Sequence, residues 1–185
     1  MKKIHYALVA LLFVLVGCGT PKEEQKVTPE VSPEDAFTYT FDFDGMDYRF
    51  RLLDGWVKFP DKDTNIAFLV GNKDIKSLMT AGFEPKESQS LEDYQENFLK
   101  KITDGGGKIL SEPQPKTVHD LEVYHIGFKM KDAKDRWLTY RTHLIETPDY
   151  FINLGAWTSE EAPSEGIINH LDAMLDTFEL LGEKE

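Results

Sequence analysis

Two runs of alternating apolar residues flank the dipeptide Asp44-Gly45. Aromatic residues alternate with polar ones over residues 37–43, and a second alternation covers residues 46–52. A period of two predicts a half-buried β-strand, and Asp-Gly between two such runs predicts a β-hairpin with a type I′ turn. The ordered part of the chain is therefore expected to begin with an aromatic hairpin.

Further strands are predicted along the chain. A short apolar run at residues 66–70 and another at residues 78–83 are typical of buried strands. The second half contains three longer strands of period two, separated by turns near residues 131–135 and 148–149, at residues 124–130, 138–144 and 150–157. Long strands joined by short turns predict an antiparallel meander.

Two helices interrupt these strands. Ser90 and Asp93 have the spacing of a capping box, and three consecutive glycines, residues 105–107, end the first helix. The second helix is expected to start within residues 159–164 and carries a broad apolar stripe that suits packing on a sheet. Because strands neighbour strands, the predicted class is α+β with an antiparallel sheet, not a parallel βαβ sheet.

Composition excludes several kinds of function. The 185 residues carry a net charge of −12, which argues against nucleic acid and against a basic patch on anionic lipid. The one cysteine leaves the folded domain without a disulfide, a cysteine zinc site or a thiol nucleophile. With 41% hydrophobic residues the chain can bury a real core.

The amino terminus has the pattern of a signal peptide. Lys2 and Lys3 precede an apolar run over residues 4–16, which is short for a spanning helix. The run ends in Leu15-Val16-Gly17-Cys18, which resembles the lipobox of bacterial lipoproteins. That resemblance implies cleavage between Gly17 and Cys18, lipidation of Cys18, and anchoring by acyl chains. The alternative is an ordinary secretory signal with an incidental cysteine.

Three segments are therefore expected: a signal peptide at 1–17, a lipidated cysteine with a disordered tether at 18–36, and one domain at 37–185. The tether is rich in proline and charge, and such a composition does not fold. As a loose coil its ends would lie roughly 25 Å apart.

The order of motifs resembles the PsbP-like domains, which include the DcrB lipoproteins. The resemblance rests on the aromatic hairpin and on Leu53-Asp54-Gly55-Trp56, Ser90-Leu91-Glu92-Asp93-Tyr94 and Thr177-Phe178. It implies an antiparallel sheet sandwiched between helices, and a role as an accessory or binding protein without a shared catalytic set. Together with the lipobox it implies a surface lipoprotein of a Gram-positive bacterium.

His125, Arg141 and His143 are the candidate ligand or partner face. If the turn at 131–135 is tight, the three side chains project from one face of neighbouring strands. Two imidazoles beside a guanidinium would bind an anion or a partner carboxylate, and the guanidinium would repel a divalent metal. The alternative is a polar face, or one covered by a helix, whose hydrogen bonds are satisfied within the chain.

Other polar and aromatic residues have simpler interpretations. Three aspartates in the first hairpin faintly resemble a calcium loop but lack its spacing, and Asp-Gly also suits the turn; they are Asp42, Asp44 and Asp47. The tryptophans are expected in or at the edge of the core, at Trp56, Trp137 and Trp157. His119, in a turn, and His170, on a helix, are expected at the surface.

No catalytic or nucleotide-binding motif occurs in the sequence, and no cofactor is expected. The leading interpretation is a non-catalytic accessory or binding protein, lipid-anchored outside the cell, with a protein partner. The alternative is a small-ligand carrier with a pocket between sheet and helix, and the third is an envelope hydrolase that uses unpaired carboxylates. A large closed pocket would favour the carrier, and a shallow apolar surface would favour a protein partner.

Overall fold

The computed structural model describes residues 38–60 and 66–183. The predicted signal peptide, Cys18 and the tether lie outside the described residues. The two helices of this part of the chain are α1, Leu91–Asp104, and α2, Glu165–Leu175. The strands are β1 Thr38–Phe43, β2 Met46–Arg51, β3 Trp56–Lys58, β4 Leu69–Asn72, β5 Ser77–Pro85, β6 Lys108–Ile109, β7 Gln114–Val118, β8 Leu121–Lys131, β9 Trp137–Glu146, β10 Tyr150–Thr158 and β11 Glu179–Glu183.

These strands form two antiparallel sheets. The smaller sheet has the order β1-β2-β11. The larger sheet has the order β3-β4-β5-β10-β9-β8-β6, and β7 also pairs with β8. The predicted meander is confirmed, because β8, β9 and β10 are consecutive neighbours in the larger sheet. The predicted α+β class with an antiparallel sheet is confirmed as well.

The first hairpin is built as the sequence predicts. Asp44 and Gly45 have φ angles of 51° and 79°, and Phe43 pairs with Met46 across them. Positive φ at both central residues defines the type I′ turn, whose twist matches that of the strands. The alternation buries one aromatic face of the hairpin, with Phe50 fully inaccessible to solvent.

The larger sheet is the middle layer of the molecule. One face packs against the smaller sheet and α2, around the fully buried Leu154 and Met174. The opposite face packs against α1, around Leu144 and Phe151. Since neighbouring residues of a strand point to opposite faces, β9 and β10 contribute to both cores. The predicted packing of a sheet between helices is confirmed.

Both helices begin at a serine cap. The Ser90 hydroxyl accepts the backbone N–H of Asp93 and the Asp93 carboxylate accepts that of Ser90, each at 3.1 Å, so the predicted capping box is confirmed. Ser164 accepts the N–H of Ile167 at 3.3 Å. Gly106, at φ 78°, takes the left-handed conformation that follows α1. Neither helix within the described residues is long and apolar enough to span a membrane.

Some strands differ from the sequence prediction. The strand expected at residues 66–70 lies instead at Leu69–Asn72, because the apolar run marks burial and not extension: Phe68 is fully buried but lies outside the strand. Four strands were not predicted, namely β3, β6, β7 and β11. The first two have only three and two residues, too few for a period to show.

Candidate functional site

His125, Arg141 and His143 lie on one face of two neighbouring strands. His125 of β8 pairs directly with His143 of β9, and their rings lie 5.0 Å apart at 73°. Arg141 pairs with Gly127, where a Cβ atom would overlap the Nη1 atom of the guanidinium. A glycine on β8 therefore leaves the space that the arginine side chain occupies.

Helix α2 lies over this cluster and supplies a carboxylate to it. Arg141 donates from Nε to Asp172 Oδ1 at 2.6 Å and from Nη2 to Oδ2 at 2.9 Å. The same Nη2 group contacts His125 Nε2. The two side chains of the ion pair are only 16% and 25% exposed. Such a two-pronged geometry fixes the orientation of both partners.

A second ion pair holds the carboxyl end of α2. Lys116 of β7 lies 2.5 Å from Asp176, whose Oδ1 is also 3.5 Å from His143 Nε2. The His119 ring lies 3.1 Å from the Asp176 carbonyl oxygen. The last turn of a helix carries partial negative charge, so a carboxylate there is unfavourable unless a cation faces it. Lys116 meets that requirement from the neighbouring sheet.

Both imidazoles of the cluster are uncharged at neutral pH. Burial, followed by the charges of His125, Lys116 and Arg141, lowers the pKa of His143 to about 3. Burial and Arg141 also lower the pKa of His125, against the opposing effect of Asp172. Neither ring nitrogen of the fully buried His143 has a hydrogen-bond partner in the described structure. An unsatisfied buried N–H is destabilising by about 1–3 kcal/mol.

The cluster is thus an internal contact between sheet and helix. The carboxylate that the sequence predicted for an external partner is supplied by Asp172 of the same chain. Binding of an external anion by His125, Arg141 and His143 stays a prediction. Asp172, Asp176 and Lys116 were not predicted as members of this cluster. The sequence does contain a feature that could have predicted them. Asp172 and Asp176 are four residues apart at the end of a helix, where carboxylates need a basic neighbour.

Other predicted positions have different surroundings. Trp56 and Trp157 are buried and Trp137 is half-buried, as the core-edge prediction requires. His170 was expected at the surface but is half-buried, and it accepts the Trp56 indole N–H at 2.8 Å. A buried indole N–H needs an acceptor, and this helix supplies it.

Of the aspartates of the first hairpin, Asp44 accepts the Tyr150 hydroxyl at 2.5 Å. Asp42 lies directly opposite Asp47 on the neighbouring strand, which places two like charges side by side. Over residues 38–60 and 66–183, no three or more histidines, cysteines or carboxylates are grouped so that they could hold a metal ion.

Two depressions on the surface are open to solvent. One, of about 480 Å³, lies where the chain leaves β2 and passes α2, and is lined by Arg51, Leu52, Leu53, Asp54 and His170. The other, of about 220 Å³, lies beside α1, with Glu84 and Tyr94 in its lining. Neither has the enclosed apolar shape of a small-ligand pocket.

The architecture is an α+β fold with a central antiparallel sheet, and solved structures of other proteins, a PsbP among them, share this fold. Cyanobacterial PsbP (CyanoP) from Synechocystis sp. PCC 6803 superimposes with a TM-score of 0.53 at 12% identity, over 90% of this chain and 98% of that protein. LpqN of Mycobacterium tuberculosis, involved in cell envelope biogenesis, gives a TM-score of 0.59 at 8% identity, over 83% and 99%. At such identities the likeness establishes the fold alone. No protein-family model and no curated protein sequence matches the chain.

Proposed function

We propose that this chain is a non-catalytic accessory protein of the cell envelope, tethered by a lipid on Cys18, that acts by binding a protein partner. The main observation in support is that the charged side chains of the polar cluster under α2 are paired with opposite charges from the same chain. Arg141 is occupied by Asp172, and Lys116 is occupied by Asp176. The part that LpqN has in cell envelope biogenesis supports the same cellular location.

The two other candidate functions have less support. A carrier needs a cavity between sheet and helix, but the fully buried Leu171, Met174 and Leu175 fill that space. A hydrolase with two carboxylates needs them to converge on a substrate. Asp172 and Asp176 instead each face a cation of the sheet, so they are engaged in holding the helix.

The open depression beside α2 is the proposed partner surface. Its lining combines the apolar side chains of Leu52 and Leu53 with charged or polar groups from Arg51, Asp54 and His170. An apolar centre with a polar rim is the usual anatomy of a protein interface.

Site-specific crosslinking in intact cells tests the partner. A photoreactive residue at position 53 should give one discrete crosslinked product, and the same residue at the exposed Lys73 should give none. Lys73 is a suitable control because it lies in the turn between β4 and β5, outside the depression. Identical products from both positions, or none from position 53, would refute the partner surface.

Fractionation tests the anchor independently. Replacement of Cys18 by alanine should move the protein from the membrane to the soluble fraction, since a lipoprotein without its cysteine carries no acyl chains. Retention of the Cys18→Ala protein in membranes washed with about 0.5 M salt, which screens contacts between surface charges, would contradict lipid anchoring.

A further inference from the structure

Positive charge is concentrated at one end of the larger sheet, although the whole chain is acidic. Lys108 together with residues 129–136 contributes five cations and two aspartates, in a chain of net charge −12. This end is the turn between β8 and β9 with the adjoining β6. At the other end of β9, near the turns at Asp44 and Asp149, the hairpins carry aspartates instead, and Tyr150 bonds to Asp44 there.

A half-exposed tryptophan lies at the centre of the basic end. The Lys108 Nζ atom lies 4.9 Å from the centre of the Trp137 ring, and the Lys131 Nζ atom lies 5.5 Å from it. Such cation–π contacts hold the ammonium groups beside the ring. We use the name Trp137 patch for Trp137, Lys108, Lys129 and Lys131, which share one face of the sheet with Arg141.

The lysines of the Trp137 patch are poorly compensated. Lys108 and Lys129 are directly opposite each other on β6 and β8, an arrangement of like charges that is destabilising. Neither forms an ion pair with any of the described residues, whereas Lys131 pairs with Asp135 at 2.7 Å. Two uncompensated cations beside a half-exposed indole form a surface that fits an anionic partner.

We propose that the Trp137 patch rests on the anionic phospholipid headgroups of the membrane that carries the Cys18 anchor. This inference depends on the proposed lipid anchor, which would keep the domain within reach of that surface. Indole rings favour the boundary between headgroups and water, and each lysine near an anionic leaflet adds attraction. The flexible lysine side chains around the Trp137 ring can adjust to headgroups that move laterally in a fluid membrane.

The net negative charge of the chain, which taken alone argues against a basic patch on anionic lipid, does not prevent this contact. β9 separates Trp137 from Glu146 by roughly 30 Å at about 3.3 Å per residue. Exposed charges are screened beyond about 8–10 Å in physiological salt, so the membrane responds to the near end of the domain. Thr38, where the tether joins, is the end of β1 remote from the acidic turn at Asp44.

Quenching of tryptophan fluorescence by brominated lipid tests the contact. The full chain is reconstituted in lipid nanodiscs of phosphatidylcholine alone or with about one third phosphatidylglycerol. Since Trp56 and Trp157 are buried, lipid quenching reports on Trp137, and a Trp137→Phe variant checks that assignment. Quenching should be about twofold or more stronger with phosphatidylglycerol, and the difference should vanish near 0.5 M salt, where screening acts within about 4 Å.

A matched pair of variants identifies the lysines. The Lys108→Gln/Lys129→Gln protein should lose the additional quenching, and the Lys73→Gln/Lys76→Gln protein, with the same change of charge at the turn between β4 and β5, should keep it. Equal quenching with both lipids, or in both double variants, would overturn the proposal and leave an acidic protein as the alternative partner. The mass of the purified chain reports acylation of Cys18 separately, so failure of the anchor and failure of the patch are distinguished.

Discussion

The two faces of the larger sheet hold their helices by different means. On the α1 face the contacts are mainly aromatic and aliphatic, with the Tyr94 and Phe151 rings stacked at 4.5 Å, and the Tyr94 hydroxyl donates to Glu84 at 3.2 Å. On the α2 face the helix contacts the sheet in two ways. Some of its side chains pack in an apolar core, and others form ion pairs beside neutral imidazoles. Apolar packing is nearly independent of pH and salt, whereas a charged contact with buried histidines depends on both.

This difference has a structural meaning. Many orientations of α1 would bury its apolar stripe, since the hydrophobic effect has no direction. α2 is also restricted by the two directional hydrogen bonds between Arg141 and Asp172, which narrow the positions that the helix can take. The partner surface and the Trp56–His170 contact both depend on where α2 lies, so a directional contact suits this helix.

The largest expected effect tests the apolar face. Replacement of the fully buried Phe151 by alanine should lower the free energy of unfolding by about 3–5 kcal/mol, because the transfer energy is lost and a cavity remains. Urea unfolding at pH 7 and pH 5 should give the same loss at both values. A loss that depends strongly on pH would contradict the contrast between the two faces.

A smaller effect is expected from the ion pair on the other face. Arg141→Met should lower the free energy of unfolding by about 2 kcal/mol, less than for a fully buried pair because Asp172 is 25% exposed. The loss arises mainly from a carboxylate left without its cation. The Arg141→Met/Asp172→Leu double variant should therefore be more stable than Arg141→Met alone. Additive losses in this double-mutant cycle would contradict a directional contact.

The smallest effect is the response to acid. The unfolded chain binds a proton at His143 near pH 6.5, whereas the folded chain, with a His143 pKa of about 3, does not. Stability is therefore present above pH 6.5 and is lost as the pH falls toward 3, by about 1–2 kcal/mol between pH 7 and pH 5. Urea midpoints across this range should show the slope in the native chain and a flatter one in His143→Leu. An unchanged slope in that variant would refute the assignment to His143.

Sequence alone predicted the parts of the fold that leave a local pattern. The hairpin at Asp44-Gly45 and the capping box at Ser90 are specified by neighbouring residues, so their structure follows from local chemistry. β11 is different, because Glu179–Glu183 become a strand only by pairing with β2. Tertiary context decides such a segment, and no period reveals it.

The candidate site was predicted only within the sheet. Alternation placed His125, Arg141 and His143 on one face, since strand period and register fix that relation. The positions of Asp172 and Asp176 over this face depend on how α2 packs on the sheet, and the apolar stripe of α2 does not specify that packing. Likewise the net charge does not reveal the basic end around Trp137, because a sum of charges over the chain does not say where the charged residues lie in the fold.

The smaller sheet joins the two ends of the described chain. β2 lies between β1 and β11, and Arg49 donates to Glu179 at 2.7 Å across 130 residues of sequence. The first hairpin is therefore synthesised long before β11. Until β11 is available, one edge of β2 has unpaired backbone N–H and C=O groups. Completion of this layer therefore requires a contact between segments separated by 130 residues, and removal of Glu179–Glu183 would leave an open strand edge that can pair with another molecule.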